Sequence, residues 1–530
     1  MKKRAAVDVD APALEARRVV PSIKVRPEQK TEVVSFAALW AAIDARWGLD
    51  FPQPELTQLK NVLTYLEPVC ESAIREHHYI DRHYMEDHGA FYARSFAATT
   101  NFCERIHFFQ CDERELEARL LQTAGSSADT SELNRDYLGF MVLKPLPGTP
   151  VGRTVLRPRK NESDRSTVFF AQRGYDVHIG GVTITAEGIA FQEQDVGVSV
   201  CATMSIWSSL QQLKHEEQFG VATPAEISSL AQTIRVPPGR ASIASGLSVE
   251  EMCRAVNALG LTAQVIATRT QIDVIRFVLH TSLRSQFAPV LLISVPGQTD
   301  GHAITATGIR LGNPLLASAA GSRAWGRISG LYVHDDRVGP YVEVSLGQRY
   351  ETVKSVSGAE LKRLVTTVGP LRGYIGDDDV DWDLFQILLP LNSQIKLPLP
   401  ELKAYITELI EAISEAVPVD DVDVDCRIVR PHVYLKESLL AKHDAASALD
   451  FQRGVAVPRY TGVVSISSPT IGEIDVLVDM TSTPKNEVVV AIVCQRHRRN
   501  TDDAIDALKR FTFEPHVYMP PIAKRVTRAR

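Results

Sequence analysis

The sequence predicts an α+β protein built from several domains. Its 530 residues exceed what one hydrophobic core fills, so two to four domains are expected. Helical apolar spacing and β-branched alternating runs occupy separate stretches, without the regular strand–helix alternation of a doubly wound sheet. Two capping-box signals and a Gly-Gly hairpin signal mark element boundaries inside the chain.

The elements follow in order. Residues 1–30 are charged, contain proline and lack any period, and read as a disordered tail. Residues 31–130 read as a helical domain, with Phe36, Leu39, Trp40 and Ile43 and then Leu56, Leu59, Val62, Leu63 and Leu66 at three- and four-residue steps. Gly125-Ser126-Ser127 looks like a linker. Residues 131–192 form a β-rich segment. It has a strand over 138–144 closed by Pro145, Pro147 and Pro150, then strands over 167–171, 177–179 and 182–185 turning at Gly180-Gly181. In the unit 193–350, Ile206, Trp207, Leu210 and Leu213 continue a helix begun near Cys201. Thr223-Pro224-Ala225-Glu226 and Ser248 with Glu251 each open a further helix. Strands follow over 263–267, 290–295, 303–309, 331–333 and 341–344. A C-terminal α+β domain over 351–515 holds a helix at 401–416 and strands at 462–466, 474–479 and 488–493, before a basic tail over 516–530.

Composition excludes several classes. Hydrophobic residues at 45% and charged residues at 23% fit an ordinary soluble protein. A net charge of −6 argues against general affinity for nucleic acid or an anionic membrane, and the short basic ends read as solvated tails. No signal-peptide core or membrane-spanning run is present, so a cytoplasmic location is expected. Seven cysteines, odd in number and without a CxxC pair, make no disulfide framework and suit a reducing compartment. No GxxxxGK[ST] or strand–GxGxxG–helix motif supports a nucleotide, and no cofactor is expected.

The residues able to do chemistry lie in the third unit. Cys201 stands at or near a helix N-terminus, where unpaired N–H groups and the helix dipole favour a thiolate, the nucleophile of acyl transfer. Taken alone, a free cysteine there is more often a small buried hydrophobe. Gln194, seven residues upstream, can offer its amide with the Cys201 backbone N–H as an oxyanion hole. His302 opens an apolar strand after a Gly-containing turn, a rigid position for a general base, although a surface histidine is about equally frequent at such junctions. Leu331-Tyr-Val-His334-Asp335-Asp336 is a strand ending in two carboxylates, one of which can hold the imidazole tautomer; alone, the pair would read as a solvated turn.

Gln-x6-Cys-Ala on a helix, Gly-His at a strand start and a later Asp-ended strand resemble the papain-like clan of cysteine peptidases. The pattern looks most like the peptidase family that cleaves double-glycine leaders from bacterial peptides, over residues 190–345 alone. The resemblance implies a Cys helix packed on an antiparallel sheet carrying His and Asp. It also implies Cys201 as nucleophile, His302 as base, Asp335 as acid and Gln194 as oxyanion donor. A long insert between His302 and the Asp335 strand keeps Asp336 and Asn313 open as alternative acids. The transporter segments commonly fused to such leader peptidases are lacking, which favours a stand-alone soluble relative.

Metal signals are weaker. His77, His78, His83 and His88 with Asp81, Glu86 and Asp87, followed by Cys103, His107 and Cys111 at four-residue steps, match no standard zinc spacing. The acidic run from Asp377 to Asp381 fails as a calcium loop, because Trp382 and Leu388 stand where Gly and Glu are required. His215-Glu216-Glu217 lacks the second histidine of a zinc peptidase motif. Asp420, Asp421, Asp423 and Asp425 alternate like a solvated edge strand. The expectation is therefore a metal-free cysteine hydrolase acting on a protein or peptide, with flanking domains free to choose a protein partner. The alternatives are a thiol acyltransferase or deamidase with the same triad, or a silent peptidase-like scaffold.

Overall fold

The computed structural model describes residues 31–519, apart from 49–55, 94–98, 125–128, 147, 160–165, 171, 196–200, 217–219, 233–245, 295–300, 313–322, 355–359, 371–380, 419–421, 483–487 and 512–515. The two tails, Gly125–Ser127, Asp377–Asp379 and Asn313 thus lie outside the described residues, apart from 516–519 of the basic tail. The architecture is mixed α+β around several antiparallel sheets.

The first unit is a five-stranded sheet, β1 (Thr31–Ser35), β2 (Ser72–Tyr79), β3 (Cys103–Phe109), β4 (Tyr137–Leu143) and β5 (Val151–Leu156), paired in that order. Helices α1 (Phe36–Trp47) and α2 (Thr57–Leu66) arise where the apolar spacing placed them. Ser35 Oγ caps α1 by accepting from the Ala38 N–H at 3.2 Å, and Gly48 closes it at φ 70°. Their apolar faces form one core with Ile106, Phe108 and Met141 of the sheet. Three more helices follow, α3 (Arg82–Asp87), α4 (Glu113–Ala124) and α5 (Ser131–Asp136).

The helical reading of 31–130 is therefore corrected, since β2 and β3 run through it. Cys103, His107 and Cys111 misled because a four-residue step keeps one face of a strand as well as of a helix. Their surroundings are those of a sheet: His107 is buried between Glu76, 2.9 Å from Nε2, and the Tyr137 hydroxyl, 2.8 Å from Nδ1.

β6 (Thr167–Phe169) and the hairpin of β7 (Arg173–Ile179) and β8 (Val182–Gly188) come next. Gly180 and Gly181 supply φ 56° and 87° at its turn, as the Gly-Gly signal predicts. The hairpin is amphipathic, with Tyr175, Val177 and Ile179 buried on one face.

The central unit contains α6 (Cys201–Glu216), α7 (Pro224–Ala231), α8 (Val249–Ala258), β9 (Leu261–Ala267) and α9 (Ile272–Arg284). Six further strands follow: β10 (Val290–Ser294), β11 (Gly301–Leu311), β12 (Ile328–Asp335), β13 (Gly339–Lys354), β14 (Glu360–Gly369) and β15 (Trp382–Asn392). Both capping boxes form as the sequence predicts, Thr223 with Glu226 and Ser248 with Glu251. Strands β10 to β15 pair in sequence order, and β15 then pairs back onto β10, which closes the sheet on itself. β9 joins β15 beyond that closure, and β6 adds to β11. The sequence-based boundary at 350 thus falls inside β13, and β14 and β15 belong to the sheet that carries His302.

The last unit is a sheet of β16 (Asp423–Val429), β17 (Thr461–Ser468), β18 (Gly472–Asp479), β19 (Val489–His497) and β20 (His516–Tyr518). Helix α10 (Leu399–Ala416) belongs to it. β16 is the edge predicted from its alternating aspartates, and the half-buried Asp425 meets Arg284 Nε at 3.3 Å. The Ile428 N–H donates to Ser285 Oγ at 2.7 Å, which fastens this edge to the end of α9.

Candidate active site

Helix α6 reaches the sheet through its small polar residues. The Ser205 hydroxyl donates to the Ala303 carbonyl at 2.7 Å, and the Thr305 hydroxyl donates to the Ser205 carbonyl at 2.9 Å. The Ser208 hydroxyl donates to the Ala190 carbonyl at 2.8 Å, and Ser209 bonds the Ala288 carbonyl. Ile206, Trp207 and Leu210 bury the apolar face. These bonds fix α6 across β11, with Cys201 as its first residue, one turn before Ser205.

His302 enters from the start of β11, opposite Ile293 of β10. Thr305 faces His334 across the β11–β12 pair, so extending that register by one sets Asp335 opposite Ile304. His302, two residues before Ile304, is then the diagonal neighbour of Asp335. The contact is made: His302 Nε2 donates to Asp335 Oδ1 at 2.9 Å. The Arg337 N–H donates to the same oxygen at 2.9 Å. The Trp382 ring of β15 packs near the imidazole, centroids 6.1 Å apart.

Electrostatics follow from this enclosure. Burial alone would lower the His302 pKa, but the Asp335 charge and hydrogen bond, with help from Cys201 as hydrogen-bond partner, raise it well above 6.5. Burial opposes ionisation of Asp335, yet His302 and the Arg337 N–H outweigh it and hold that carboxyl below its usual 3.8. Asp336 differs: burial, reinforced by the neighbouring Asp335 charge, pushes it up to about 7 against the pull of His302. With Nε2 committed to Asp335, the ring atom that can serve the thiol is Nδ1.

The structure thus brings Cys201, His302, Asp335 and Asp336 together, and Cys201 remains partly exposed while the other three are buried. Gln194 is half-buried. Its segment is fastened to the first unit. Phe191 and Thr154 exchange backbone bonds at 2.8 Å, the Glu193 N–H donates to the Val151 carbonyl at 3.2 Å, and the Val151 N–H donates to Glu193 Oε2 at 3.0 Å. Burial raises Glu193 to about 8. Lys144, 2% exposed, stands 4.0 Å from Asp195 in the same region. Sequence reasoning did not single out Lys144 or Glu193, because a lysine before a proline-rich turn and a glutamate in a polar loop look solvated.

The histidines of 77–88 disperse. His77 pairs with Glu32 at 3.1 Å, His83 packs edge-on to Trp207, and His88 meets Thr99. The group whose donor atoms converge, all within 4.8 Å, is His302, Asp335 and Asp336. No protein-family model matches the chain, and no curated protein matches it.

Proposed function

We propose that the protein is a cysteine hydrolase of papain-like type, acting on a peptide or isopeptide bond through a Cys-His-Asp centre. The supporting observation is the chain of contacts in which a buried His302 joins Asp335 at 2.9 Å and has the thiol at the head of α6 as its other partner. His302 Nδ1 takes the thiol proton, and the Cys201 sulfur attacks the carbonyl carbon to give a tetrahedral oxyanion. The Cys201 backbone N–H and the Gln194 amide receive that charge. Collapse expels the amine, which leaves with the proton from His302, and water then cleaves the acyl-enzyme by the reverse proton route. Asp335 keeps the ring oriented and stabilises its charged form. An amine acceptor in place of water would make the same centre a transferase.

Seven free cysteines fit a reducing, cytoplasmic setting, and no described helix is long and apolar enough to cross a membrane. A protein or peptide is the substrate class, and the flanking units are surfaces for choosing it.

The test is labelling by an electrophilic peptide probe near pH 7, with the modified residue mapped by mass spectrometry. Cys201 should react well ahead of the other six cysteines, and His302→Ala should suppress the reaction. Slow, equal labelling of all seven would leave the scaffold reading in its place.

A further inference from the structure

We propose that His302, Asp335 and Asp336 form a site for a divalent transition metal of the zinc class, and that metal bound there silences the thiol centre. The silencing rests on the hydrolase reading above; the metal site does not.

The mechanism uses one carboxylate, yet the structure buries two beside one imidazole. His302 Nε2 lies 2.9 Å from Asp335 Oδ1 and 3.7 Å from Asp336 Oδ1. Tetrahedral zinc with N and O bonds of about 2.0–2.2 Å has ligand–ligand edges of roughly 3.3–3.5 Å. The two separations bracket that edge, so small side-chain adjustments would admit the ion. Asp336 is 5% exposed and, among the described residues, neither of its oxygens has a hydrogen-bond partner on another residue; Asp335 Oδ2 has none there either. Oxygens buried in that condition are costly, and a cation among them removes the cost for all at once.

Coordination has a defined proton balance. The metal takes the Nε2 lone pair and one oxygen from each carboxylate. A charged ring loses its Nε2 proton to solvent, whereas a neutral ring moves its single proton from Nε2 to Nδ1; the Asp336 proton, when present, also passes to solvent, so binding tightens as pH rises. Either way the ring holds one proton, on Nδ1, and has no lone pair left to accept the thiol proton. Cys201, the other partner of His302, is not required as a ligand.

Cobalt(II) titration of the full, chelator-treated chain, read by optical absorption, tests the site. The expected result is a saturable tetrahedral spectrum without a thiolate-to-cobalt charge-transfer band, displaced by zinc and kept in Cys201→Ala. His302→Ala should abolish it, and Asp336→Asn should weaken binding about 10–100-fold, the usual effect of disturbing a metal's surroundings, or more. No saturable binding, wild-type binding by Asp336→Asn, or a thiolate band lost in Cys201→Ala would each overturn the site. If Asp336→Asn does not fold, X-ray absorption on the zinc-loaded wild type decides: N/O ligands support the site and sulfur overturns it. Metal-free probe labelling of Cys201 reports the hydrolase reading separately. Cobalt binding without such labelling keeps the site and removes the silencing, whereas labelling unaffected by saturating zinc overturns the silencing alone.

Discussion

Asp335 and Asp336 are adjacent, both buried, and yet differ in their partners. Asp335 receives the His302 N–H and the Arg337 N–H, while Asp336 receives no hydrogen bond from another described residue. Asp335→Asn should lower hydrolysis, or the rate of probe labelling at Cys201, by about 10²–10⁴-fold, because an amide can present its N–H to the ring and hold the wrong tautomer. Asp336→Asn should cost much less in metal-free conditions, and equal losses in the two variants would remove Asp335 from its role. Cys201 and His302 were legible because Cys201 opens α6, His302 is the second residue of β11, and the sequence marked both element starts. The choice of acid was not, because neighbouring residues at a strand end differ in the face they present and only the register assigns that face. Asn313 lies outside the described residues, and Asp335 is preferred over Asp336 because His302 Nε2 lies 2.9 Å from the first and 3.7 Å from the second. Trp382 was invisible as a site neighbour, since nothing local ties residue 382 to residue 302.

At the scale of elements, α6 is held by serines and threonines rather than by apolar packing alone. Ser205→Ala removes its bond to the Ala303 carbonyl, and a loss of about 1–3 kcal/mol in urea unfolding is the expected outcome. Labelling of Cys201 should slow as well, because the bond sits one turn from the nucleophile. The clamp between β5 and Glu193 gives a second expectation. A carboxyl raised from 4.5 to about 8 keeps its proton in the folded chain after the unfolded chain has lost it. That contribution to stability is complete below pH 4.5 and fades as pH rises towards 8. Glu193→Gln keeps an acceptor for the Val151 N–H without the titration, so its denaturation midpoint should decline less than that of the wild type between pH 4.5 and 8, the window set by the shift. Periodicity identified α1, α2, α6 and α10 because each has an apolar stripe over several turns. It failed for β3, where the step from Cys103 to His107 satisfies both periods, and it could not show that β14 and β15 return to the central sheet, because strand pairing across such separations leaves no local trace.

Over the whole molecule, buried histidines set the acid limit. Burial is the leading cause that lowers His334 to about 3 and His83, His107 and His280 to about 4, from 6.5. Below 6.5 the unfolded chain takes up protons that the folded chain refuses, so stability falls as pH drops from 6.5 towards 4. Glu193, Asp336 and Asp87, raised to about 8, 7 and 7, oppose this fall. The histidine contribution is therefore read by difference: the thermal midpoint of His107→Gln, followed by circular dichroism, should sink less than that of the wild type between pH 6.5 and 4. The closed sheet makes a separate prediction for truncation. A chain ending at 350 lacks β14 and β15 and leaves β10 and β13 with open edges, so it should be insoluble or unfold without cooperativity. A chain carried to 392 keeps the closure and should be the better behaved of the two.

β15 also sets an order in time. Synthesis from the N-terminus delivers Cys201, then His302 and then Asp335, all before Trp382 and the strand that ties β14, β10 and β9 together. A chain still on the ribosome therefore carries Cys201, His302 and Asp335 while the sheet that holds His302 remains unsealed. The last strand of the central unit acts as the final stitch, joining β10, β14 and β9 after all three side chains have been made.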